Sequence, residues 1–138
     1  GFSRGTYQCR PDDDLELVDC MITNAVRCVP PQNKPVGIEI KNCRAFLEAR
    51  IQSMPRLAVI LALGRIAHDS TVSALGLKRA ATPFGHNAYH LVPETCPGGR
   101  ALRLVDSYHC SRYNTNTRRL TEAMFEAVFE VVRERLSG

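Results

Sequence analysis

The chain has 138 residues, 44% of them hydrophobic and 23% charged, with a formal net charge of +4. That length supports one domain with a real core, and the composition excludes a disordered chain. The longest apolar run, LAVILALG from Leu57, is too short to cross a bilayer, and the mild positive balance ties any attraction to nucleic acid to where the cations sit.

The opening fourteen residues, ending RPDDD, are polar and turn-like, and Gly1 begins without an initiator methionine, so we expect a piece of something longer. From Leu15, LELVDCMITNAVRC carries the β-branched and apolar content of a strand, stopped by the three prolines of VPPQNKPVG. A helix is expected next in IEIKNCRAFLEARIQSM, where Ile40, Cys43, Phe46, Leu47 and Ile51 recur at helical spacing and predict one core-facing stripe. After Pro55, LAVILAL is continuous rather than alternating, the pattern of a parallel strand covered on both faces, and is expected at the centre of the sheet. Gly64 ends it, and RIAHDSTVSAL reads as a short helix closed by Gly76. Residues 77–100 hold no strong period; a structureless loop of that length is unusual, which predicts a short strand or hairpin around HNAYHLV. ALRLVDSY is a third strand, and TEAMFEAVFEVVRERL is a long helix with Thr121 as its cap and Glu122 in its first turn.

This alternation predicts an α/β fold, a three-layer αβα arrangement with a parallel, doubly wound central sheet. Ligands in such folds sit beyond the carboxyl ends of the strands, which is where NAVRCVPP and HCSRYNTNTRR fall.

Between Ser107 and Thr121 there is no acidic residue, while Arg112, Arg118 and Arg119 are interleaved with Ser111, Asn114, Thr115, Asn116 and Thr117. Guanidinium forks, hydroxyls and a helix N-terminus suit a phosphate backbone, although the same segment also reads as a solvated turn. His109 is either a packed strand-end residue or a catalyst. Asn24, within an apolar strand, is either a buried amide holding a loop or a reader of the donor and acceptor edge of a base. Cys28 and Cys43 flank the proline loop as two core thiols or two metal ligands. The six cysteines include no C-x-x-C, which excludes a thioredoxin-type motif, and without a secretory leader they read as thiols of a reducing cytosol.

Taken in order, ITNAVRCVPPQNKP, EIKNC, ALGRIAHD, FGH and SYHCSRYNTNTRRLTEAM resemble the uracil-DNA glycosylase superfamily, and within it the type 5 branch of iron-sulfur enzymes, over residues 15–136. The resemblance implies a base-excision repair enzyme, monomeric, cytoplasmic and away from membranes. Such an enzyme flips uracil and other deaminated bases out of DNA and hydrolyses the N-glycosidic bond. It implies that Asn24 binds the polar edge of the flipped base and that His109 faces the carbonyl oxygen that gains charge as the bond breaks. Ser111, Arg112, Asn114, Asn116, Thr117 and Arg119 match the segment that grips the DNA backbone. Cys28 and Cys43 match two of the four ligands of a 4Fe-4S cluster. The family's glycine-rich first motif, its strand and its first cysteine pair have no counterpart here, so residues 1–138 are expected to be a single domain lacking that N-terminal part, with an incomplete cluster. The competing expectations are a non-catalytic DNA-binding module of the same fold and an iron-sulfur or zinc domain used for assembly.

Overall fold

The computed structural model describes residues 1–25, 37–94 and 101–137. Its first residues form a small ribbon in which β1 (Ser3–Arg4) pairs antiparallel with β2 (Glu16–Leu17). Helix α1 (Gly37–Gln52) leads into β3 (Val59–Leu63), α2 (Arg65–Ala74), a 3₁₀ turn at Arg79–Ala81 and β4 (Tyr89–Val92). Strand β5 (Leu102–Ser107), a short helix α3 (Arg112–Asn116) and the long α4 (Glu122–Ser137) complete the order.

The two aliphatic runs pair in parallel, Val59 beside Arg103 through Leu63 beside Ser107. Their neighbour β4 runs antiparallel to β5, with Tyr89 beside Val105 and Val92 beside Leu102, so the sheet is mixed rather than all parallel. Among the described residues the strand order is β3-β5-β4, which places β5 rather than LAVILAL at the centre. A continuous apolar run reports cover on both faces, not a partner on both edges. Leu102, Leu104, Val105, Asp106 and Ser107 of β5 are all buried, whereas β3 is mostly half-buried.

The strand expected from Leu15 to Cys28 is not formed over the described residues beyond Glu16–Leu17. Met21 and Ile22 are exposed and Asn24 lies in irregular chain, because β content becomes a strand only against an edge that accepts its backbone bonds. Residues 26–28 lie outside the described residues.

Successive residues of a strand point to opposite faces, and β5 divides its side chains accordingly. Leu102 and Leu104 pack with Leu47 and Ile51 of α1, Val72 of α2 and Val92 of β4. Val105 packs with Val128 and Val132 of α4, joined by Val59 and Leu61 of β3. On α1, Cys43, Leu47 and Ile51 form a stripe at four-residue steps and are buried, while Phe46 stands off that line and is 56% exposed. Thr121 caps α4, its Oγ1 accepting from Met124 N–H at 3.2 Å, and Gly76 follows α2 at φ +70°. No described helix is long and apolar enough to cross a membrane.

Candidate active site

Because Leu63 and Ser107 are paired at the ends of parallel strands, the residues that follow each emerge side by side. Gly64 N–H donates to the Ser107 carbonyl at 2.8 Å, and Gly64 takes φ +95° and ψ 166°, a region essentially restricted to glycine. A Cβ on Gly64 would lie 3.1 Å from the Cβ of His109, so the strand-to-helix turn packs directly on that histidine.

A second turn closes on the same place. Asn87 N–H donates to the Asp106 carbonyl at 2.8 Å and Asp106 N–H to the Ala88 carbonyl at 2.9 Å. Tyr108 N–H then donates to His86 Nδ1 at 3.1 Å, with the two rings 4.8 Å apart. These bonds gather Gly64, Arg65, Phe84, Gly85, Tyr108, His109, Asn114 and Arg119 around an open cleft of about 320 Å³.

The cleft walls alternate rings and cations. Phe84 and Tyr108 lie 6.3 Å apart; the Arg65 guanidinium sits 5.4 Å from the Phe84 centroid and that of Arg119 4.9 Å from Tyr108, both at cation–π distance. Helix α3 begins at the rim, where Ser111 Oγ accepts from Asn114 N–H at 3.2 Å and the Asn114 amide donates to the His109 carbonyl at 2.9 Å. His109 is exposed, with its backbone held by Asn114 and its Cβ against Gly64.

The Uracil DNA glycosylase superfamily pattern matches residues 1–133. The chain belongs to the uracil DNA glycosylase superfamily. It is similar to the type-5 uracil-DNA glycosylase of Thermus thermophilus, 44% identical over 130 residues that cover 93% of this chain and 55% of that protein. The type-5 uracil-DNA glycosylase of Pyrobaculum aerophilum is 34% identical over 133 residues, 96% of this chain and 53% of that protein. That of Mycobacterium tuberculosis is 32% identical over 124 residues, 88% of this chain and 44% of that protein. The chain thus spans about half the length of the curated relatives it matches.

For this superfamily member the sequence-predicted residues divide. His109, Asn114 and Arg119 share the cleft. Asn24 is exposed and is not among the lining residues. Segment 111–117, read as a loop, is largely the helix α3, and its hydroxyls serve that helix: Ser111 caps it and Thr117 Oγ1 donates to the Tyr113 carbonyl at 2.8 Å. Arg112 and Asn116 are exposed outside the cleft. Arg118, at φ +58°, lines a separate groove with Cys110, Thr115 and Phe125.

The thiol of Cys43 is free and buried on α1, while Cys9, Cys20 and Cys110 are free and exposed; Cys28 lies outside the described residues. Of the two expected cluster ligands only Cys43 lies among the described residues, and those residues do not assemble a set of four thiolates. Gly64, Arg65, Phe84 and Tyr108 were not assigned roles from sequence. ALGRIAHD and FGH stand out as stretches, but nothing periodic in them says that an arginine and a phenylalanine nineteen positions apart will meet.

Proposed function

We propose that the protein containing this chain is a type 5 uracil-DNA glycosylase that removes uracil, and other deaminated bases, from DNA. The observation that supports it best is His109, exposed at a strand end on a cleft whose two ring walls each carry an arginine. A base inside a duplex is out of reach, so it is unstacked, at a cost of about a few kcal/mol, and received by a pocket. Phe84 and Tyr108 offer such a base an aromatic wall, and Arg65 and Arg119 offer guanidinium groups to the flanking phosphates.

As the glycosidic bond stretches, the sugar gains oxocarbenium character and the leaving base gains negative charge. An N–H of His109 directed at the base carbonyl stabilises that charge more than it stabilises the intact substrate. The histidine donates a hydrogen bond without giving up its proton. The hydroxyl of water goes to the anomeric carbon and its proton to the departing base. Asn24, which is exposed and does not line the described cleft, is assigned to the polar edge of the base by the resemblance alone. Ser111, Arg112, Asn114, Asn116, Thr117 and Arg119 hold the backbone, in part by building the helix on which Arg112 and Asn116 are exposed.

We further read the sheet of the complete protein as doubly wound and three-layered, with β4 as its antiparallel edge, and the protein as a cytoplasmic monomer. Cys28 and Cys43 would hold two corners of a 4Fe-4S cluster. Such a cluster would tie α1 to the segment that carries Cys28 and would supply no chemistry to the base.

An oligonucleotide with one uracil tests the proposal with the complete protein. His109→Ala should slow single-turnover base release by about 10²- to 10³-fold, the loss expected for one donor to a developing oxyanion, and leave most DNA affinity in place. Stable binding with no abasic site ever formed would point instead to a non-catalytic DNA-binding module.

A further inference from the structure

We propose that His68, Asp106 and His90 form a buried positioning network that sets His109 and the Phe84–Tyr108 wall for bond cleavage; this rests on the glycosylase reading above. Asp106 is fully buried near the end of β5, and both of its carboxylate oxygens are engaged. Oδ1 lies 2.7 Å from His68 Nδ1 and Oδ2 lies 3.2 Å from His90 Nε2. His68, only 1% exposed, donates through Nε2 to the Thr82 carbonyl at 2.7 Å. A carbonyl only accepts, so that proton is committed, and the proton between Nδ1 and Oδ1 is carried by one or the other.

Stability alone is a weak reason for such a group. Buried polar and ionic sets are often replaced by well-packed apolar residues at no loss, and most of the buried residues here are aliphatic. What the network does is join three elements that carry the cleft. Thr82 opens the turn that bears Phe84, whose ring meets His68 edge-on at 5.5 Å. The main chain of Asp106 is bonded to Asn87 and Ala88 in that same turn, and Asp106 precedes Tyr108 and His109 in the chain. On the other side, His68 N–H donates to the Gly64 carbonyl at 3.0 Å, and Gly64 packs on the Cβ of His109. The His68 ring thus touches the aromatic wall through Phe84 and Thr82 and the strand that carries His109 through Asp106, while its main-chain N–H holds Gly64.

In the complete protein, Asp106→Asn and His68→Gln should lower single-turnover uracil release by up to about 100-fold, since a misplacement near 1 Å is worth that much, with DNA affinity little changed. His90→Gln keeps an amide donor and should retain most of the rate that His90→Ala loses. The His68–Asp106 proton should appear in the NMR spectrum of the DNA-free protein as a downfield, exchange-protected imidazole resonance that Asp106→Asn removes. Folded variants that cleave at the wild-type rate would overturn the proposal, as would stoichiometric zinc that is lost with Asp106→Asn. If Asp106→Asn does not fold, the His90 pair carries the rate test. Wild-type protein that releases no uracil would sink the glycosylase reading instead, while the resonance would still decide whether the shared proton exists.

Discussion

Gly64 and Arg119 show what single residues contribute at the cleft. Gly64 sits in backbone space that an L side chain enters at a cost of about 1–3 kcal/mol, and its missing Cβ leaves room for His109. Gly64→Ala should therefore lower the urea midpoint and, in the same protein, slow base release because the histidine is pushed aside. Unchanged release in a destabilised variant would separate the strain from the contact. Arg119 is exposed over Tyr108, where its charge remains available to a phosphate. Arg119→Ala should weaken binding to uracil-containing and uracil-free DNA alike and flatten the log–log salt slope by about 0.9, the value for one phosphate contact. His109 and Arg119 were legible in the sequence because they follow a strand whose end is easy to place. Arg65 and Phe84 were not, because each reaches the cleft only through a turn closed by long-range bonds.

At the scale of elements, the boundaries of α2 and α4 follow local rules, whereas the short α3 and the order of the strands do not. α4 begins where its cap residue predicts, and the Thr121 hydroxyl accepts the Met124 N–H. Thr121→Ala should cost about 1 kcal/mol with an unchanged denaturant slope, measured by urea unfolding. α2 likewise starts after Gly64 and is followed by Gly76 in a left-handed conformation, as its bounding glycines predict. The third strand was also legible from its run, and the short strand in HNAYHLV from the length of the aperiodic stretch around it, where a strand or hairpin was expected. Their order was not, since β3 (VILAL) is the more apolar run while the ladder of the described residues gives the two neighbours to β5 (LRLVDS). The segment before Cys28 shows the limit of composition: Ile22 and Thr23 have β-branched side chains and lie exposed in irregular chain.

For the whole molecule, the question is how this chain relates to relatives nearly twice its length. Helices supply both apolar faces of the sheet through Val72 on one side and Val128 on the other, so the core is built from this chain's own residues. Cys43, a free thiol buried on α1, is the proposed cluster ligand that lies among the described residues. In the complete protein purified without oxygen, Cys43→Ser should lower iron content and the visible absorption of the cluster. Full iron occupancy in that variant would exclude Cys43 as a ligand. The net charge of +4 is small, so DNA affinity should depend on the arginines around the cleft more than on overall charge.

The sequence by itself determined the elements with a local period, their glycine and threonine boundaries, and the placement of His109 just beyond a strand. Each of these depends on residues within a few positions of one another, where spacing and backbone preference act directly. Only the tertiary structure decided that β5 is central, that β4 runs against it, and that Arg65, Phe84 and Tyr108 form one wall. It also joined His68 to Asp106 across 38 positions. Such pairings depend on which surfaces meet once the chain has closed its loops, and no periodicity along the chain records them.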